Sequence, residues 1–116
     1  MTDASCLFCK IVRGDIPSET VFEDDLVVAF DDINPVAPVH QLLVPRRHVA
    51  SAADLAESDA EMLGRLFTVA ADLARTAGLP ETGYRLVTNV GVDGGQSVGH
   101  LHFHLIGGRR MAWPPG

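Results

Sequence analysis

The sequence is poor in cysteine, in basic residues and in long apolar runs. Its two cysteines, Cys6 and Cys9, lie too close together to staple a fold, which argues against a disulfide-stabilised protein. Nine Lys and Arg face 15 Asp and Glu, and the net charge of −6 argues against a broad basic face for a nucleic-acid polymer. No apolar run approaches the ~20 residues of a membrane span, and no basic-then-apolar signal peptide opens the chain. We therefore expect a cytoplasmic, soluble protein with neither a nucleic-acid polymer nor a membrane as partner.

Length and apolar content predict one domain of mixed secondary structure. With 116 residues, 47% of them hydrophobic, the chain can bury one sizeable core but not two, so we expect a single domain over residues 1–116. Strands are expected at 19–23, 26–30, 40–44, 84–88 and 100–106, a short helix at 6–12, and a long helix between a capping box at 58–61 and a stop at Gly78. Because most strands are joined by hairpin-length connections, we predict an α+β fold with a five-stranded antiparallel sheet.

Three of the five histidines, His100, His102 and His104, alternate with single apolar residues. Successive side chains of a strand point to opposite faces, so the imidazoles would share one face while Leu101 and Phe103 face the core. A lone histidine is usually structural, but three in strict alternation favour catalysis or metal binding.

Such a row of imidazoles suits chemistry at phosphorus. One imidazole can attack phosphorus and form a covalent intermediate, and a second can hold phosphate oxygens or move a proton near neutral pH. A hydroxyl such as that of Ser97 can deliver a proton to a leaving amine. The loop 93–97 lacks the lysine and the spacing of a P-loop, but its glycines let backbone N–H groups approach an anion. None of these steps requires a metal.

The cysteine pair has two interpretations. At i and i+3 of a helix, Cys6 and Cys9 share a face, and His48 with one histidine of the row would complete a tetrahedral Cys₂His₂ zinc site of structural type. Alternatively, both are small core residues. A thioredoxin-type redox site is less favoured because no strand precedes the pair.

The pattern His-φ-His-φ-His-φ-φ at 100–106 resembles the signature of the histidine triad superfamily. Segments 93–98, 107–109 and 113–116 resemble its histidine triad nucleotide-binding (Hint) branch, as do 30–35 and 38–40. The resemblance covers about residues 6–116. It implies a five-stranded antiparallel sheet with one long and one short helix, and a homodimer whose sheets join edge to edge, which would also cover an exposed edge.

The resemblance implies hydrolysis of purine nucleoside 5′-phosphoramidates, releasing AMP from the adenosine compound, through a nucleotidyl-histidine intermediate. It implies that His102 is the nucleophile, that His104 and His40 contact or orient the phosphate and the nucleophile, and that Asp32 binds ribose hydroxyls. The remaining implied nucleotide-binding residues are Phe8, Ile11, Phe30, Ile33 and Leu42 around the base, and Asn89, Gln96, Ser97 and Val98 around the phosphate and leaving group.

Many bacterial-type members that keep the cysteine pair bind zinc through it and two histidines, and this resemblance implies the ligands Cys6, Cys9, His48 and His100. Gly99 departs from the family pattern, because relatives commonly carry a bulkier residue before the triad. Glycine there removes no functional group, but it leaves the substrate preference open.

Other functions remain open at this point. One is cleavage of dinucleoside polyphosphates, as in the Fhit branch, although the ending 113–116 favours the Hint branch. Another is a nucleotide-binding regulatory module with vestigial activity. A third is a metal relay in which His102 and His104 bind zinc.

Overall fold

A computed structural model of the chain describes residues 5–116. Residues 1–4 of the predicted domain lie outside the described residues. Along the chain, the helices and strands are α1 (Leu7–Arg13), β1 (Thr20–Glu23), β2 (Val27–Asp31), β3 (Val39–Pro45), α2 (Ala60–Thr76), β4 (Tyr84–Val87) and β5 (Phe103–Gly107). The strands form one sheet in the order β1-β2-β3-β5-β4, and every neighbouring pair is antiparallel. The predicted α+β fold, with one short and one long helix, is confirmed.

Residues close by in the sequence determine where the first hairpin turns and where the first helix begins and ends. Oδ1 of Asp24 accepts the backbone N–H groups of Leu26 and Val27, each at 2.9 Å, which closes the turn between β1 and β2. Cys6 is the N-cap of α1 rather than its first helical residue, and the helix ends at Arg13, followed by the C-cap Gly14, whose φ of 83° suits glycine.

The sheet is covered by one helix on each face. On one face, Met62, Leu66 and Val69 of α2 pack against a cluster that includes Leu43 and Leu105, both fully buried. Burying a leucine side chain stabilises the fold by roughly 1.5–3 kcal/mol. Because this cluster is the larger of the two, this face supplies most of the core. On the other face, α1 packs against β2 and β3 in a smaller cluster. The histidines lie on the α1 face.

The predicted capping box at 58–61 is wrong. Residues Glu57–Asp59 form a short 3₁₀ turn, and Asp59 Oδ2 accepts the N–H of Ala56 at 2.9 Å. This hydrogen bond therefore stabilises the 3₁₀ turn, and α2 begins only at Ala60. Its predicted stop is confirmed: α2 ends at Thr76, and Gly78 follows with a φ of 73°.

The predicted strand at 100–106 is partly wrong. Strand β5 begins at Phe103, so His100 and His102 lie in the segment that leads into it. The alternation still holds, because Leu101, Phe103 and Leu105 belong to the α2-side core. Over residues 5–116, none of the helices has the length and hydropathy to cross a bilayer.

Candidate active site

A cleft of about 310 Å³ opens on the α1 face of the sheet. It lies between α1, the loop after β2 and the segment that leads into β5. The predicted site residues that line it are Phe8, Ile11, Phe30, Asp32, Ile33, Leu42, Ser97, Val98, His102 and His104. Residues from five separate stretches of chain thus meet in one cleft.

The apolar half of the cleft is built by α1 and β2. Phe8 packs edge-on against Phe30, with ring centroids 5.6 Å apart, and against His102 at 5.0 Å. Ile33 stays 89% exposed at the mouth. This arrangement offers aromatic and aliphatic surfaces to a flat apolar ring.

The hydrogen bond made by His102 fixes which of its nitrogens is free. Its Nδ1 lies 2.7 Å from the backbone oxygen of His100. A carbonyl oxygen can only accept, so Nδ1 carries the hydrogen and the neutral imidazole keeps a lone pair on Nε2. The backbone thereby determines that Nε2 is the ring nitrogen of His102 with a free lone pair.

A second chain of hydrogen bonds fixes His40 and His104. The N–H of Val36 donates to Nδ1 of His40 at 3.1 Å, so the hydrogen of His40 is on Nε2. That Nε2–H donates to Nδ1 of His104 at 2.8 Å. His104 consequently keeps its own hydrogen on Nε2, where it can be donated to a ligand.

His104 is held neutral at physiological pH. Burial lowers its pKa from 6.5 to about 4, with further lowering by charge on His102 and His40, while Asp32 acts in the opposite direction. A neutral His104 is the state that can accept from His40 and still donate from Nε2. The cleft therefore presents the unprotonated Nε2 of His102 beside the Nε2–H group of His104.

Asp32 lines the cleft and approaches His40 with one carboxylate oxygen. One oxygen accepts the N–H of Asn34 at 2.8 Å, and the other lies 3.3 Å from Nε2 of His40. A carboxylate has about four acceptor sites, so two remain for a ligand. Two adjacent acceptors match the two hydroxyls of a diol.

Three of the predicted catalytic and nucleotide-binding residues do not line the cleft. His40 bonds to His104 but is not part of the cleft wall. Asn89 donates to the carbonyl of Gly94 at 2.7 Å and lines a neighbouring cavity. The amide of Gln96 is occupied by the backbone: it donates to Ala50 and Val98 at 2.7 and 2.9 Å and accepts from Gly91 at 3.0 Å. Gln96 therefore shapes the glycine loop rather than the cleft.

Two further parts of the chain, which were not predicted as site residues, help to form the cleft. The linker residues Ile16, Pro17 and Ser18 line the cleft beside Ile11. Thr88 donates its hydroxyl hydrogen to the backbone oxygen of His102 at 2.8 Å, which helps to position His102. The Ile-Pro pair was a visible marker of a rigid linker, whereas nothing in the sequence singles out Thr88.

Below the cleft, Cys6, Cys9, His48 and His100 converge in a group whose ligand atoms all lie within 4.8 Å of one another. Nδ1 of His100 lies 3.3 Å from Sγ of Cys6 and 3.2 Å from Nδ1 of His48, and Sγ of Cys9 lies 3.4 Å from the latter. Ligand atoms around a tetrahedral zinc are separated by roughly 3.3–3.8 Å, as follows from its bond lengths. The group therefore has the size of a zinc site.

The protonation of His100 also suits a metal. Its Nε2 lies 3.0 Å from the carbonyl of Pro45, so Nε2 carries the hydrogen and Nδ1 presents a lone pair to the cysteines. Burial lowers the pKa of His100 to about 4, with the carbonyl of Pro45 acting in the opposite direction. The donor set and the tautomer both fit a divalent metal.

Comparisons with known proteins identify the family of the chain. The HIT domain family model matches residues 13–111. The purine nucleoside phosphoramidase of Escherichia coli K12 is 48% identical over 105 residues, which are 90% of this chain and 88% of that protein. The structure of a HIT family hydrolase from Legionella pneumophila has a TM-score of 0.94 at 52% identity, covering 97% of this chain and 100% of that chain. A histidine triad protein from Clostridium difficile has a TM-score of 0.92 at 43% identity, covering 97% of each chain. The chain therefore belongs to the HIT domain family.

Proposed function

We propose that this protein hydrolyses purine nucleoside 5′-phosphoramidates through a covalent nucleotidyl intermediate on His102. The observation that carries the proposal is the hydrogen bond from Nδ1 of His102 to the backbone oxygen of His100, which leaves Nε2 bare in a cleft that can hold a base. The relatives named hydrolase and purine nucleoside phosphoramidase support an enzyme of this family.

In the first step, Nε2 of His102 attacks phosphorus and the phosphorus–nitrogen bond breaks. The leaving nitrogen takes a proton from the hydroxyl of Ser97, which lines the cleft. Nε2–H of His104 donates to a non-bridging oxygen, where negative charge must be held during transfer. The amine departs, and the nucleoside monophosphate remains attached to His102.

In the second step, water attacks the same phosphorus and the His102–phosphorus bond breaks. A proton of the water returns to Ser97, so the side chains end as they began. The products are the nucleoside 5′-monophosphate and the free amine. Asp32 holds the ribose hydroxyls throughout, and Phe8, Ile11, Phe30, Ile33 and Leu42 contact the base.

Turnover of a small substrate panel tests this proposal. The panel contains adenosine, guanosine and cytidine phosphoramidates of one amine and one dinucleoside polyphosphate, each assayed with wild type and His102→Gly. We expect the purine phosphoramidates to be cleaved fastest, and the variant to lose at least about 1,000-fold in kcat because no other group replaces the nucleophile. Faster cleavage of the polyphosphate would favour the Fhit-type reaction. Nucleotide binding without turnover would favour a regulatory module.

We also propose that Cys6, Cys9, His48 and His100 hold a structural zinc ion. All four positions of a tetrahedral ion would be filled by protein, so the bound metal would supply folding stability rather than chemistry. Metal analysis should find one zinc per chain, and Cys9→Ser should lose it and lower the melting temperature. A second zinc per chain that is lost with His104→Gln would instead support the metal relay.

We further propose that the protein is cytoplasmic and that it forms a homodimer. Phe67 of α2 is 52% exposed although its ring packs on Phe103 at 5.4 Å, and Tyr84 on the edge strand β4 is 38% exposed. Tyr84 lies on an edge to which the sheet of a second copy could add, and the exposed Phe67 offers apolar surface for that contact. Light scattering should give twice the mass of 12.4 kDa, and the mass of one chain would refute the dimer.

A further inference from the structure

The proposed zinc ligands belong to two of the walls that form the nucleotide cleft. Cys6 and Cys9 lie at the start of α1, which also carries Phe8 into the cleft. His100 lies in the segment before β5, which brings His102 into the cleft from the other side. The ligand atoms of both walls lie within 4.8 Å of one another. One metal ion held by them would therefore join the two walls.

His100 is connected to His102 by its backbone and through Phe8. The backbone oxygen of His100 accepts the Nδ1–H of His102 at 2.7 Å, so a displacement of His100 moves the group that fixes the imidazole of His102. The ring of Phe8 lies edge-on to both imidazoles, with centroids 6.0 Å from His100 and 5.0 Å from His102. One side chain of α1 thus contacts both a proposed metal ligand and the proposed nucleophile.

Residues 100–102 precede the paired part of β5, so the ladders of the sheet do not hold them. The N–H of Leu101 donates instead to the carbonyl of Val49 at 2.6 Å, and Val49 directly follows His48, another proposed metal ligand. The hydroxyl of Thr88 anchors the end of the segment. Two of the anchors of this segment, the ring of its first residue and the bond to Val49, therefore lead to the proposed metal site.

We propose that metal binding at Cys6, Cys9, His48 and His100 raises the affinity of the cleft for a nucleotide, and that a bound nucleotide raises the affinity for the metal. The inference rests on the proposed function and on the proposed zinc ligands, and it adds regulation of the cleft by the supply of metal. His100 is a positioning residue in this scheme, because it contacts His102 but does not line the cleft. Coupling between two binding sites is reciprocal, so the same factor must appear in both affinities. Such factors are typically about 5–150-fold, and we expect about tenfold.

Equilibrium binding of AMP tests the first half of the proposal. Calorimetry compares wild type loaded with one zinc ion per chain and the same protein after removal of the metal by a chelator. We expect the Kd for AMP to rise about tenfold when the metal is removed.

Zinc affinity tests the second half. Competition with a coloured chelator gives the Kd for zinc with and without saturating AMP, after correction for the weak binding of zinc by AMP itself. Saturating AMP should lower this Kd by the same factor of about ten.

A destabilised variant separates this coupling from a general effect of the metal on stability. Leu66 is 2% exposed in the core on the opposite face of the sheet, so Leu66→Ala weakens the fold without touching either site. Zinc-loaded Leu66→Ala should melt at a lower temperature and still bind AMP with the wild-type Kd. If the metal-free protein does not stay folded, the rate of zinc release from the loaded wild type decides instead. Saturating AMP should slow that release about tenfold, because differences in affinity appear mostly in the dissociation rate.

Unchanged AMP affinity on metal removal, unchanged zinc release with AMP, or an equal loss of AMP affinity in Leu66→Ala would overturn this inference and leave the phosphoramidase proposal intact. Failure to bind zinc would overturn the proposed metal ligands and this inference, but not the proposed function. Failure of the zinc-loaded protein to bind AMP would overturn the proposed function as well. The three failures are thus distinguishable.

Discussion

Replacing Asp32 separates the two tasks that its carboxylate performs in this account. The free lone pairs would bind the ribose hydroxyls, while the second oxygen already lies 3.3 Å from Nε2 of His40. Asp32→Ala removes both interactions. Asp32→Asn keeps an oxygen acceptor for the N–H of Asn34 and removes the charge, so it serves as the matched variant.

The expected loss follows from the number of hydrogen bonds. Two hydroxyls donating to a carboxylate contribute roughly 1.5 kcal/mol each, so the loss of both ribose contacts should cost about 3 kcal/mol, or about 150-fold in kcat/KM. The long contact to His40 contributes about 1 kcal/mol, or about fivefold, so Asp32→Ala should lose about 800-fold in all with a ribose substrate. With a 2′,3′-dideoxy substrate, only this second loss should remain. Asp32→Asn should fall between wild type and Asp32→Ala.

The assay is steady-state hydrolysis of the two substrates by the three proteins. Equal losses on both substrates would show that Asp32 does not bind the diol. If Asp32→Ala lost no activity on the dideoxy substrate, the contact between Asp32 and His40 would make no contribution to catalysis. Thermal unfolding of each variant checks that the loss is not one of folding.

The remaining predictions concern the pH dependence of stability and the effects of two glycine substitutions. Because burial lowers the pKa of His104 from 6.5 to about 4, the unfolded chain binds more protons than the folded one in this range. The free energy of unfolding should therefore hold above pH 6.5 and fall between pH 6.5 and 4, by roughly 2 kcal/mol for this residue after allowance for its partial exposure. Urea titrations should show a shallower fall for His104→Gln, and parallel curves would contradict this. A Cβ on Gly94 would lie 2.2 Å from the carbonyl oxygen of Val90, so Gly94→Ala should cost about 2 kcal/mol and reduce kcat/KM by distorting the loop. Gly64→Ala in α2, where a Cβ meets nothing within 4 Å, should instead stabilise the protein by about 0.5–1 kcal/mol, and equal effects of the two changes would refute the steric explanation.

The periodic spacing of apolar residues was sufficient to predict the sheet and the face of it on which the histidines lie. Alternation from Leu101 to Leu105 separates core side chains from imidazoles even where the backbone is not yet a strand. The strand itself begins later than predicted, because the segment before Phe103 bonds elsewhere: the N–H of Leu101 donates to the carbonyl of Val49 at 2.6 Å. Such a long-range partner has no signal in local sequence.

The polar side chains were the least predictable part of the site. Gln96 stands next to Ser97, yet its amide is occupied by the backbone groups of Ala50, Gly91 and Val98. Asp59 was placed in a helix cap, but its carboxylate bonds back to Ala56. A short polar side chain has several backbone partners within reach, and which one it takes depends on the folded loop.

The nucleophile itself is open to direct observation. Wild-type protein mixed with an adenosine phosphoramidate, quenched in base within the turnover time and analysed by intact mass should carry one added AMP group, and peptide fragmentation should place it on His102. His102→Gly should carry none. An adduct on His104 or Ser97, or rapid turnover in the His102→Gly variant, would contradict the central claim.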